Sequence, residues 1–102
     1  MRKYLDEVLD KADAIIAAGA GRPVELARFV LPDATINGAS VQVNRWLKRV
    51  TAPNGEAALR VAQWCAVKTL EISAADEATQ ERYRAEWAKT ATGKREAKEK
   101  KS

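Results

Sequence analysis

Apolar residues recur along this chain at helical spacing. Leu5, Val8, Leu9, Ala12, Ile15 and Ile16 follow the i, i+3, i+4, i+7 rule of an amphipathic helix and leave Asp6, Glu7, Asp10, Lys11 and Asp13 outside it. Gly19-Ala20-Gly21 stops that helix, because glycine accepts the left-handed conformation at a helix C-terminus. Pro23 then occupies a favoured first-turn position of a second helix, Pro23 to Val30, striped by Leu26, Ala27 and Val30. From Leu31 to Gly38 the period is lost and Pro32-Asp33 and Asn37-Gly38 supply turn chemistry, so residues 31–39 are expected to be a connection. Ser40 offers a hydroxyl to cap a third helix from Val41 to Val50.

Ala52-Pro53-Asn54-Gly55 ends the third helix, and a longer fourth one is predicted from Glu56 to about Glu71. Its Ala58, Leu59, Val61, Ala62, Cys65, Ala66 and Leu70 fall mostly on one side, which marks it as the main core helix. Ser73, with Asp76 and Glu77 close behind, resembles the start of a fifth helix that includes Tyr83 and Trp87 and stops at Thr92-Gly93. Beyond Gly93 the chain is charged and lacks large apolar residues, the pattern of a disordered tail. The expected class is all-α, with about five helices and no sheet, divided into a body at 1–72, a C-terminal helix at 73–93 and a basic tail at 94–102.

Composition narrows the functional classes. A length of 102 residues allows one domain with a modest core. Cys65 has no partner for an intramolecular disulfide and is most simply a small buried apolar residue. One cysteine and no histidine also rule out a zinc cluster, and a reducing cytoplasm is the expected compartment. The segment Met1-Arg2-Lys3-Tyr4-Leu5-Asp6-Glu7 places acids where a signal peptide needs an apolar run, and no stretch approaches the roughly 20 apolar residues of a membrane helix. No glycine-rich phosphate loop, metal-ligand cluster or nucleophile with an adjacent base is present, so neither an enzyme, a cofactor nor a small-molecule effector is expected. The formal net charge of +4 is concentrated at the end of the chain, where Lys94, Arg95, Lys98, Lys100 and Lys101 outnumber Glu96 and Glu99. Any nucleic-acid footprint on the body must come from local clustering.

Such a cluster lies in the third predicted helix. Val43, Trp46, Leu47 and Val50 share one face, while Gln42, Asn44, Arg45, Lys48 and Arg49 form a polar surface with bases and no acids. A helix fits the major groove, Arg, Gln and Asn pair bidentately with base edges, and Lys48 and Arg49 suit phosphate oxygens. Trp46 and Trp64 sit on apolar stripes and are assigned to the core, whereas Trp87 with Tyr83, four residues apart on an otherwise polar helix, suggests a partner surface.

Glu25-Leu26-Ala27-Arg28, then Val41-Gln42-Val43-Asn44-Arg45-Trp46-Leu47-Lys48, then Pro53 and Leu59-Arg60-Val61-Ala62-Gln63-Trp64 resemble the Cro and phage-repressor (XRE-like) family of helix-turn-helix proteins over Arg22 to Ala66. The resemblance implies core anchors at Val43 and Trp46, and base-reading positions at Ser40, Gln42, Asn44, Arg45 and Lys48. Two features differ from the family pattern. About ten residues separate the second helix from Ser40 where the family has a short turn, and Pro23 replaces the polar residue that clamps a phosphate, leaving Arg22 as the nearest substitute. The implied function is a sequence-specific transcriptional regulator of prokaryotic or phage type that binds double-stranded DNA as a homodimer, with Tyr83 and Trp87 at the dimer interface. A helical protein-protein adaptor and a DNA-binding accessory factor of phage packaging or replication are the alternatives.

Overall fold

The computed structural model describes residues 2–101, with side chains from Tyr4 to Glu99, and it is helical throughout: α1 (Arg2–Ala17), α2 (Pro23–Val30), α3 (Ile36–Leu47), α4 (Gly55–Ser73), α5 (Glu77–Lys89) and α6 (Ala91–Lys101). No strand occurs among the described residues. None of the described helices is long and apolar enough to cross a membrane. α1 ends as its glycines require. Gly19 takes φ +76°, and the Ala20 and Gly19 amides bond back to the Ile15 and Ile16 carbonyls at 3.0 Å each, the paired closure of a Schellman cap.

One core joins the first four helices. Val8, Leu9, Ala12 and Ile15 of α1 meet Leu26, Ala27 and Val30 of α2, Ala39, Val43 and Trp46 of α3, and Ala57, Val61, Trp64, Cys65 and Ile72 of α4. Gly21 is fixed by this packing, since a β-carbon there would stand 2.7 Å from the Trp64 ring. The buried side of α4 differs from expectation. Leu59, Ala66 and Leu70 are exposed; Val61, Trp64 and Cys65 are buried as expected, and Ala57 and Ile72 complete the inward face. α4 is apolar around more than half its circumference, so periodicity alone could not select the inward face.

The C-terminal third also departs from expectation. Ser73 is the last residue of α4 and its hydroxyl donates to the Leu70 carbonyl at 2.8 Å, while Asp76 caps α5 by accepting from the Thr79 amide at 3.1 Å. α5 stops at Lys89 rather than Gly93, and the segment from Ala91 to Lys101 is helical where a disordered tail was expected. Ser102 lies outside the described residues. Extended Thr90 makes the break, and its hydroxyl accepts from the Gly93 amide at 3.0 Å, capping α6. Gly93 is a point of close approach, not a stop: a β-carbon there would lie 1.9 Å from the Trp87 carbonyl oxygen. Asp10 anchors the start of α6 to α1, because its Oδ2 accepts from the Thr92 hydroxyl at 2.6 Å and the Thr92 amide at 3.1 Å, with both residues buried. That anchorage holds a segment with no apolar stripe of its own in place.

Candidate nucleic-acid interface

α2 and α3 form a packed helix pair joined by residues 31–35. Pro23 opens α2 at its first turn, and the Leu31 amide closes it on the Ala27 carbonyl at 2.9 Å. Thr35 starts α3. Its Oγ1 accepts from the Gly38 amide at 3.1 Å, so the cap lies five residues earlier than Ser40, and Asn37-Gly38 is the first turn of the helix instead of part of a loop. Ser40 is half-buried inside α3 and caps nothing. The connection between the two helices shrinks accordingly from about ten residues to five, residues 31–35.

At the far end α3 stops at Leu47. The Val50 and Arg49 amides return to the Arg45 and Trp46 carbonyls at 2.9 and 3.0 Å, the same double closure as in α1, but the left-handed position is held by Arg49 at φ 62° instead of glycine. That conformation costs a non-glycine residue about 1–2 kcal/mol. The side chain explains why it persists: Nη2 pairs with Asp10 Oδ1 at 2.7 Å, and Nη1 with Asp13 Oδ2 at 3.3 Å and the Leu47 carbonyl at 2.6 Å. Arg49 therefore faces back onto α1, and its expected role at a phosphate is corrected to a tie between the end of α3 and the core. Val50, expected on the buried face, lies past the end of the helix and is exposed.

The burial of α3 matches its two expected anchors, with Val43 fully buried and Trp46 nearly so. Opposite them, helical geometry sets Gly38, Val41, Arg45 and Lys48 on the outermost ridge, with Asn37 and Asn44 on one flank and Gln42 on the other, all exposed. The polar surface is thus real and begins a turn earlier than expected. Asn37 and Val41 join it because α3 starts at Ile36, and Thr35, a residue type that favours the N-cap, was the signal available in the sequence.

The charges on this unit differ from those elsewhere. Arg22 at the start of α2, Arg28 in its last turn, Arg45 and Lys48 are exposed, and among the described residues none has a side-chain hydrogen bond or ion pair. Every other Lys or Arg whose side chain is described, from Tyr4 to Gly93, is engaged: Lys11 with Glu7, Arg49 with Asp10, Arg60 with Glu56, Lys68 with Glu25 and Glu71, Arg82 with the Ala18 carbonyl, Arg84 with Gln80 and Lys89 with Glu86. Lys68 pairs with Glu25 of α2, and the hydrogen bond to Glu25 raises the Lys68 pKa above its ordinary value. Asp33 is the one remaining acid between Arg22 and Val50.

Tyr83 and Trp87, expected as a dimer contact, have intramolecular work. Tyr83 packs against the core, where burial raises its hydroxyl pKa, and the Trp87 indole donates to Glu96 Oε2 at 3.0 Å across the α5–α6 pair. The chain matches no known protein-family model, no characterised protein and no solved structure.

Proposed function

We propose that the chain is a helix-turn-helix DNA-binding protein that docks α3 in the major groove, and that it regulates transcription by occupying its site. The observation that carries this reading is the contrast in pairing: among the side chains described from Tyr4 to Lys89, the four bases without a hydrogen bond or ion pair all lie on the α2–α3 unit, while the others are held by carboxylates or, for Arg82 and Arg84, by hydrogen bonds to neutral oxygens. Unpaired exposed bases gathered on one helix pair favour a polyanion, and release of its counterions supplies the affinity. A helix of 12 residues is about 18 Å long and enters a groove about 12 Å wide. In that pose Arg45 reads a guanine edge, Asn37, Asn44 or Gln42 an adenine edge, and Val41 a thymine methyl, while Arg22, Arg28 and Lys48 meet phosphates.

The test is selection of bound duplexes from a random-sequence pool, followed by anisotropy titration of the recovered and unselected duplexes between about 50 and 300 mM salt. The expected result is enrichment of a defined site, with a log–log salt slope near −3 for about three phosphate contacts. No enrichment together with salt-independent binding would overturn the reading.

A further inference from the structure

α4 carries a second exposed surface on which the proposed DNA contact does not draw. Leu59, Gln63, Ala66, Val67 and Leu70 share one face of the helix, and Leu59, Val67 and Leu70 are 55%, 49% and 72% exposed. Beside it, α1 sets Tyr4, 54% exposed, at the edge of a groove of about 470 Å³ whose apolar lining includes Val8, Ala62, Cys65 and Leu70. Four large apolar side chains on adjoining helices leave on the order of 400 Å² of apolar surface in water, a size that marks an interaction site.

We propose that this face is the interface between two copies of the chain, packed with their α4 helices antiparallel about a two-fold axis close to residues 64 and 65. The order of residues along the stripe carries the choice of occupant. Reversing the helix about that midpoint lays Leu59 on the second copy's Leu70 and Gln63 on its Ala66, whose small side chain admits close approach, so the face is its own complement. Charge agrees with the reversal. Arg60 and Glu71, which within one copy pair with Glu56 and Lys68, lie on the same flank of the stripe, one toward each end, and their side chains are 38% and 60% exposed and open to a further partner. An antiparallel pair brings each Arg60 to the second copy's Glu71, giving two symmetric contacts, and it also opposes the helix dipoles. Tyr83 and Trp87 take no part, and the proposal stands independently of what α3 binds.

Sedimentation equilibrium of the full chain from about 5 to 500 μM should show a monomer–dimer equilibrium. Leu70→Glu, at a position already open to water in one copy, should keep the helical circular dichroism and raise the dissociation constant about 100-fold or more. Arg60→Glu should weaken association about ten-fold, and adding Glu71→Arg to that variant should restore it, because the two-fold axis re-forms both pairs with reversed sign. A monomer throughout the concentration range, a dimer untouched by Leu70→Glu, or a charge swap that fails to restore association would each overturn the proposal.

Discussion

Asp10→Ala tests whether α6 and the end of α3 are held through one buried carboxylate. Asp10 is only 8% exposed and receives three hydrogen bonds, from Arg49 Nη2 at 2.7 Å, the Thr92 hydroxyl at 2.6 Å and the Thr92 amide at 3.1 Å. Truncation takes from Arg49 the shortest of its carboxylate contacts, leaving Asp13 and the Leu47 carbonyl, and leaves two Thr92 donors buried without an acceptor. A hydrogen bond to a charged group contributes about 1.5–3 kcal/mol, so loss of the two from Thr92 alone should cost about 3 kcal/mol or more. For a domain of this size 1 kcal/mol moves the melting temperature by about 4–8 °C, so a fall of more than about 12 °C is expected. Urea titration gives the free energy, and far-ultraviolet circular dichroism reads the segment. α6 supplies 11 of the 79 helical residues, so its release should remove about a seventh of the helical signal before global unfolding. Thr92→Val, which keeps the amide bond and loses the hydroxyl, should cost about half as much, about 1.5–3 kcal/mol. A loss below about 0.5 kcal/mol for Asp10→Ala would place it among ordinary surface changes and refute the anchoring role.

Three further outcomes follow from burial and charge. Trp46→Ala, removing the largest anchor of α3 from the core, should cost about 3–5 kcal/mol by urea titration and leave the isolated domain marginally folded. Burial pushes the Cys65 thiol up to about 12, so a thiol reagent at pH 8 should label the folded chain far more slowly than the chain in denaturant, and equal rates would place Cys65 outside the core. Burial also raises the Asp13 carboxyl above its ordinary 3.8, with Arg49 pulling it down and Asp10 pushing it up. Because folding raises this pKa, the folded chain holds the proton more tightly and loses stability as pH climbs from 3.8 through the raised value. Asp13→Asn should remove that loss, and its stability relative to the parent should therefore rise between pH 3 and pH 7.

Elements with a strong period and clean caps were legible in the sequence. α2 falls where Pro23 and the Leu26, Ala27, Val30 stripe put it, and Val43 and Trp46 are buried as their spacing requires. The start of α3 was hidden because Asn37-Gly38 carries the chemistry of a turn. Only the Thr35 cap, a hydrogen bond made on folding, turns it into a first helical turn. Arg49 was misassigned for a related reason: its residue type suits phosphate, and nothing local says that the backbone reverses there and sends the guanidinium to carboxylates 36 and 39 positions away. α6 depends on a still longer link, Asp10 to Thr92 across 82 positions, so a local reading of its charges gives disorder. Within the third helix, by contrast, Gln42, Asn44, Arg45 and Lys48 are exposed where their spacing put them, because exposure on a regular helix follows from spacing alone.

The measurement closest to the central claim compares Arg45→Ala and Lys48→Ala, on a duplex recovered by selection and on an unselected one, across a salt series. Both side chains are exposed on the outer ridge of α3 and unpaired, and neither touches the core, so the fold should survive each change. Arg45, whose planar fork pairs with a guanine, should lose about 1–3 kcal/mol of discrimination between the two duplexes, while Lys48 should weaken binding to both and reduce the salt slope by about one. Unchanged affinity on both duplexes for both variants would contradict the account and remove α3 as a DNA-contacting helix.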